Sequence, residues 1–447
     1  MTSSASATNT DTTTDSVEPI LQPGVKRREV FGWALYDFAN SGYATVVLTA
    51  VFSAYFVSGV VGDSTLGTLW WTLTLSVSHF LVMITIPFMG AWADQHQARR
   101  RLLWFTTLGC VVSTAALSLA GPGAIWLAVI LVIVSNVCFS WGESLISSFL
   151  PSLARPHAMG RVSGWGWGFG YIGGMLTLGL CLAYVLNAQA HGQSADDFVP
   201  VTLLITAAVF AVAAVLSLSL LKERATPPGP QSQAVSSWAR VYQTWQHARQ
   251  YRDFLWLLAC TVMYMGGVAV AIALAAIYAE QVIGFTQTET MVLIFVLNLA
   301  AVVGALLLGY GQDWLGHKLA LGLTLIGWLA TCLLAAWVTT KGGFWVAAFI
   351  AGLCMGASQS VGRAMVGLLA PANRLAEFYG LWTLATRVAS IIGPLLYGLV
   401  TWLTDGNQRM AIAATGLLFV AGLLLLIPLR LGRGRAAAQA ADAIKAC

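Results

Sequence analysis

Apolar residues run in blocks of roughly twenty along this chain, separated by short polar or glycine-containing joints. Neither the strict alternation of a half-buried strand nor the single apolar stripe of a surface helix fits such blocks. A hydrocarbon layer about 30 Å thick is crossed by about twenty helical residues. That ruler predicts twelve spans, near 31–57, 66–92, 102–121, 124–148, 163–187 and 199–221, then 254–279, 289–310, 318–339, 343–367, 378–403 and 410–430. One long polar connection interrupts the series and carries Pro227, Pro228, Gly229 and Pro230. The predicted organisation is a disordered cytoplasmic tail (1–28), a six-helix bundle (29–221), a cytoplasmic linker (222–253), a second six-helix bundle (254–431) and a C-terminal tail (432–447).

Composition agrees with the pattern. The chain is 58% hydrophobic and 9% charged, with a mean hydropathy of +0.76. Soluble domains carry about a quarter charged residues, so lipid is the solvent this chain expects. The net charge of +5 does not point to nucleic acid, because the basic residues sit at the joints between apolar runs. They also sort by side. With the N-terminus inside, Lys26, Arg27, Arg28, Arg99, Arg100, Arg101, Arg155, Arg161, Lys318 and Arg374 fall on one face, and Lys341 and Arg409 on the other. The positive-inside rule then puts both termini in the cytoplasm. Six of the seven cysteines lie in apolar runs and none forms a C-x-x-C pair, so they read as reduced packing residues. No cofactor or metal is expected, and no nucleophile or H-E-x-x-H pattern suggests an enzyme.

The halves repeat each other. Gly90-Ala-Trp-Ala-Asp94, followed by Arg99 and Arg100, returns as Gly309-Tyr-Gly-Gln-Asp313, followed by Lys318, an aspartate-to-aspartate offset of 219. Pro151 and Pro371, Gly160 and Gly380, and Gly173 and Gly393 each recur at an offset of 220. The glycine permits close helix approach and the acid stands near a helix end, where it meets the helix dipole. These loops resemble the signature between the second and third helices of major facilitator transporters, where they act in gating. The first copy departs from it at Gln97 and Ala98, and the second keeps Gly316 but has His317.

A second resemblance is narrower. Trp33-Ala-Leu-Tyr36-Asp37-Phe-Ala-Asn40-Ser41, Pro151-Ser-Leu, Gly160-Arg161-Val-Ser-Gly164, Phe378-Tyr379-Gly380 and Gly393-Pro394 look like the unknown major facilitator 1 family, whose relatives include a fungal vacuolar amino-acid effluxer. The resemblance covers all twelve spans. It implies an all-α membrane protein of the major facilitator fold, two pseudo-symmetric six-helix bundles moving a small-molecule substrate by alternating access. Amino acids and related zwitterions are its suggested cargo. A drug or metabolite exporter is the alternative transport reading, and a membrane sensor the alternative of another class.

Acids and arginines inside a membrane are costly and mark pathways. Asp37, Asn40, Ser41 and Ala44 share one helical face, and Asn136, Ser140, Glu143, Ser144 and Ser147 form a stripe on the fourth span. Glu143 and Arg363 are equivalent at the offset of 220, so the expectation is that they pair across the halves and help close an inner gate. Arg387 completes the set. With Tyr36, Asn40 and Asn136 these are the substrate and coupling candidates, and protons are the expected coupling ion. Gly168-Phe-Gly170-Tyr-Ile-Gly173 satisfies a dinucleotide fingerprint, but no strand precedes it. Gly166, Gly170 and Gly174 instead make a small-residue stripe for helix packing. The expected state is a monomer surrounded by lipid.

The topology is testable. In a cysteine-free background, Asp196→Cys should react with an impermeant thiol reagent from outside and Gln233→Cys should not. The reverse labelling would invert the orientation.

Overall fold

The computed structural model describes residues 19–224 and 248–443. The proline run of the linker, Gln233, Cys447 and residues 1–18 of the tail lie outside the described residues. Among the described residues, twelve helices are long and apolar enough to cross a membrane. They are α1 (Arg27–Tyr43, continued by irregular turns to Val61), α2 (Ser64–Gln95), α3 (Arg99–Ala116), α4 (Ile125–Ser147), α5 (Met159–Ala190) and α6 (Ala195–Leu220), then α7 (Arg252–Tyr278), α8 (Gln287–Leu315), α9 (His317–Trp337), α10 (Lys341–Leu369), α11 (Leu375–Leu403) and α12 (Gln408–Leu426). A thirteenth helix, α13 (Leu431–Ala443), follows.

Local sequence explains the hairpins on the side away from the termini. Gly62, Gly192 and Gly406 adopt the left-handed conformation just past α1, α5 and α11. Glycine adopts it without the Cβ penalty other residues carry. Asp63, Thr286, Thr340 and Asn407 then accept hydrogen bonds from first-turn amides of α2, α8, α10 and α12. Such caps satisfy donors that a helix start leaves unpaired. On the opposite, basic side, longer side chains cap helix ends. Arg100 donates to the Leu218 carbonyl near the end of α6, and Lys318 donates to Ile427 and Leu429 just past α12.

Buried apolar residues form one large cluster from Val30 to Leu221, joined by Ala364 and Ala376, and another from Tyr251 to Leu429. Large apolar side chains such as Leu69, Phe105, Val212, Leu307 and Leu395 stand exposed, as a lipid-facing surface requires. Trp314, Trp337 and Trp402 lie exposed near span ends, where indoles favour the membrane–water boundary.

Helix α5 is kept thin on two faces. A Cβ at Gly166, Gly170 or Gly174 would approach Asp37, Ser41 or Thr45 of α1 within 3.0 Å. A Cβ at Gly164 would lie 2.5 Å from the Ala305 carbonyl oxygen of α8. The expected small-residue stripe is therefore the α1–α5 contact, and a second glycine face meets the other half of the molecule.

Three features depart from the sequence reading. The segment 19–28, expected as disordered tail, is ordered. Gln22 donates to the Pro151 and Ala154 carbonyls, Leu21 bridges Ala154, and Arg155 donates to Leu21. Its polar backbone finds partners on the α4–α5 loop, which hydropathy does not reveal. The segment after 431 is helical and docked: Arg433 holds Asp253 with two bonds of 2.7 Å, and the Ala372 amide donates to Asp442. Finally, π-helical turns occupy Ala44–Ala50 and Phe56–Val61 of the first span and Ala279–Ile283 after α7. The turns at 56–61 and 279–283 partly overlap at the repeat offset.

Candidate functional site

The charged side chains inside the spans meet between the two halves, but not in the predicted pairs. Arg363 of α10 donates through Nη1 to Asp37 Oδ2 of α1 at 2.7 Å. Arg387 of α11 reaches Glu143 Oε2 of α4 at 3.3 Å and Ser140 Oγ at 3.1 Å. The expected Glu143–Arg363 pair is not formed, and the partners are exchanged. The reason is geometric. The two residues are equivalent through the repeat, so they stand on opposite sides of its axis: α4 faces α11, whereas α10 faces α1 and α5.

The pairs differ in character. Arg363 is 2% exposed and its guanidinium lies between the Trp33 and Trp167 rings, 4.9 Å from each centroid. Nη2 points to the Ser163 carbonyl at 3.5 Å, and the Ser163 hydroxyl donates to the Ser360 carbonyl at 2.7 Å. A cation stacked on indole gains about 0.5–2 kcal/mol, more when desolvated. Glu143, in contrast, keeps 32% of its side chain accessible although it lies among helices, and meets Arg387 by a single longer contact. At the repeat offset Trp167 occupies the position of Arg387. The two equivalent helix contacts thus each use one arginine, on α11 in one and on α10 in the other.

Nearer the basic face, each half caps a helix of the other. Asp313 at the end of α8 accepts from the Gly160 and Arg161 amides of α5, both at 2.9 Å, and from Arg161 Nε at 3.1 Å. Asp94 at the end of α2 accepts from the Glu377 amide of α11 at 3.0 Å. Both acids therefore sit at the positive ends of facing helices. Gly90 and Gly309 allow the approach: a Cβ at Gly90 would stand 2.3 Å from the Ala376 carbonyl oxygen, and one at Gly309 would stand 3.0 Å from Gly164 Cα. The basic residues of these loops, expected to act in gating, are engaged with helix ends. Arg99 is buried, donates to the Ser148 carbonyl and lies 3.7 Å from Glu223. Glu223 also accepts from the Arg99 and Arg100 amides at the start of α3.

Two candidates belong elsewhere. Tyr36 is bonded to Thr107 at 2.8 Å, and Asn136 donates to Ser78 at 2.8 Å, each fully buried inside the first half. Both bonds tie helices together inside the first half, while Asn136 Oδ1 has no partner among the described residues. Asn40 is buried with its Oδ1 unpartnered among the described residues. Residues the sequence reading missed include Trp33, Trp167 and Ser163, since nothing in their spacing marks them as companions of an arginine. His79 lies within electrostatic reach of Arg387, and its Nδ1 has no partner among the described residues.

Among the described residues, these cross-half bonds lie on the basic side or near mid-span. On the other side the bonds stay within a half: Tyr55 to Asp196, Gln408 to Gln281, Lys341 to Glu289, and Arg409 to Ala336 and Val338.

Comparison with known proteins adds a context. The family described as "Vacuole effluxer Atg22 like" matches residues 70–439. An uncharacterized MFS-type transporter, YxiO, of Bacillus subtilis (strain 168) is 28% identical over 88% of this chain and 93% of its own length. Autophagy-related protein 22-1 of Aspergillus fumigatus is 24% identical over 83% and 76%. Among solved structures, the proton:xylose symporter XylE aligns with a TM-score of 0.70 at 13% identity, covering 93% of this chain and 98% of that one. FucP in its outward conformation aligns with a TM-score of 0.67 at 14% identity, over 90% and 98%.

Two substitutions grade the contact between halves. Gly164→Leu drives a side chain into the α8 backbone and should strongly raise the reactivity of a cysteine at Gln312 toward reagents added on the basic side. Asp313→Asn weakens one helix cap, worth about 0.5–2 kcal/mol, and should raise it modestly. Equal, low reactivity in both would mean that this contact does not close the basic side.

Proposed function

This chain belongs to the family of Atg22-like vacuole effluxers, transporters of the major facilitator fold, and we propose that it carries a small zwitterionic solute across the cell membrane by alternating access. In this reading the bundles 29–221 and 254–431 rock against each other about the linker 222–253, and the basic side faces the cytoplasm. One observation carries the reading: the cross-half polar contacts are stacked from the basic face to mid-span, while the far side holds its bonds within each half. That is the arrangement of an inner gate shut and an outer side free to open.

The tiers divide the work. The helix caps at Asp94 and Asp313 and the stacked Asp37–Arg363 pair act as the inner latch. The looser, partly accessible Glu143–Arg387 pair meets the solute, an ammonium matching Glu143 and a carboxylate matching Arg387. The family resemblance of the sequence supports an amino acid or similar zwitterion. When the halves part, Asp37 leaves its arginine and stands as an unpaired carboxylate within the span, which a proton neutralises. Protons are accordingly the coupling ion of this reading.

Removing one partner of a buried ion pair costs about 3–5 kcal/mol. The cavity water that enters on opening lowers this figure, so Arg363→Gln should shift the population toward the inward-open form by about tenfold or more. The swap Asp37→Arg with Arg363→Asp should recover part of the closure. Distance distributions between spin labels on the basic ends of α3 and α9 measure both. An unchanged distribution in the single variant rejects the latch.

Coupling and recognition separate in a second experiment. In proteoliposomes, Asp37→Asn should flatten the pH dependence of net amino-acid transport while leaving exchange less affected. Glu143→Gln should weaken solute affinity. If wild-type protein moves no amino acid and none raises its thermal stability, the zwitterion assignment falls.

A further inference from the structure

A cavity of about 380 Å³ opens on the basic face between the two halves. Pro151 and Met159 wall it from the first half, and Leu368 and Leu375 from the second. The ordered N-terminal strap, through Pro23, and α13, through Ala438, close its flanks. Its charged lining is uneven: Arg99, Arg224 and Arg435 against Asp442. Arg99 and Arg224 are fixed in place, the first by Ser148 and the second by both oxygens of Glu29. Arg435 is exposed and has no hydrogen-bond or ion-pair partner among the described residues. The Asp442 carboxylate is turned to the Ala372 amide.

We infer that this cavity binds a soluble organic anion, a phosphate or carboxylate carrying a small apolar body, and that its occupant holds the basic side shut. The apolar walls receive the body, and the unpaired Arg435 closes on the anionic group with charge-assisted hydrogen bonds. A soluble occupant fits the location: the described lining is the strap, α13, short loops and the basic-side ends of α3, α5, α10 and α11, at the polar end of the spans. The locking effect follows from the walls. The halves touch there, since a Cβ at Gly367 would lie 3.0 Å from Pro151 Cγ. Opening the basic side pulls the walls apart, so a ligand that needs both favours the closed form. The locking clause rests on the alternating-access reading above, whereas the binding does not.

The test uses the full chain in nanodiscs of zwitterionic lipid, with phenyl phosphate as the probe and inorganic phosphate beside it. Phenyl phosphate should raise the melting temperature, and more than inorganic phosphate does. In Arg435→Glu its dissociation constant should weaken about tenfold. Because Arg435 has no partner, the variant should melt like the parent without probe, and Arg435→Gln should give an intermediate loss. Spin labels at Arg101→Cys and Leu319→Cys should report a narrower, shorter distance when the probe is bound. No stabilisation at millimolar probe, or equal stabilisation in Arg435→Glu, overturns the site. If phosphatidylglycerol in the nanodisc stabilises the protein through Arg435 and phenyl phosphate does not, the occupant is a lipid and the soluble-anion proposal fails. Binding through Arg435 with an unmoved label distance overturns the lock alone. An unmoved distance under every condition, Arg363→Gln included, counts instead against alternating access.

Discussion

A guanidinium that cannot lose its proton must be paid for wherever it sits in a membrane, and Arg363 is the most demanding group in this molecule. It satisfies the requirement with one carboxylate, two indole faces and the neighbouring Ser163 backbone. None of these comes from its own helix. Asp37 and Trp33 belong to α1, and Trp167 and Ser163 to α5, so the arginine is comfortable only while the two halves touch. Everything needed for that contact follows in turn: an α5 stripped of side chains on two faces, an α8 that approaches its backbone, and aspartates placed at the ends of facing helices.

The repeat supplies the scaffold and the charges break it. Gly109 against Cys138 and Gly327 against Cys354 are matching close contacts in the two halves, as are Gly142 and Gly362 beneath tyrosine hydroxyls. On this shared frame one interface carries Glu143 with Arg387, and its counterpart carries Arg363 with Trp167. A purely symmetric molecule would give both interfaces the same strength. Here one ion pair is stacked and buried, and the other is longer and partly accessible. In the proposed cycle that difference lets the two contacts serve as latch and binding surface.

Much of this was legible in the residues. The twelve spans follow from block length, and the repeat from the recurrence of glycine, aspartate and proline. The importance of Asp37, Glu143, Arg363 and Arg387 follows from the cost of charge in lipid. Pairing was not legible, because an offset relates equivalent positions and says nothing about which helices face each other across the axis. The bonds of Tyr36 and Asn136 inside the first half escaped for a similar cause: polarity in a span marks helix packing as readily as a pathway. The strap at 19–26 and helix α13 escaped because their stability lies in long-range bonds to loops, such as Gln22 to Pro151 and Arg433 to Asp253. Local composition contains no trace of such partners.

The π-helical turns in the first span change how its two ends relate. Each such turn holds one residue more than an α-helix would use, and one residue corresponds to about 100° of rotation. The stripe through Asp37, Asn40 and Ser41 therefore does not continue along the outer end of the same span, and a helical wheel drawn from the inner end assigns the wrong residues to the cavity beyond Ala44. Mechanically the span is a shaft with a slipped coupling. Its outer end meets its neighbours at a different phase from the inner end, where Asp37 grips the opposite half.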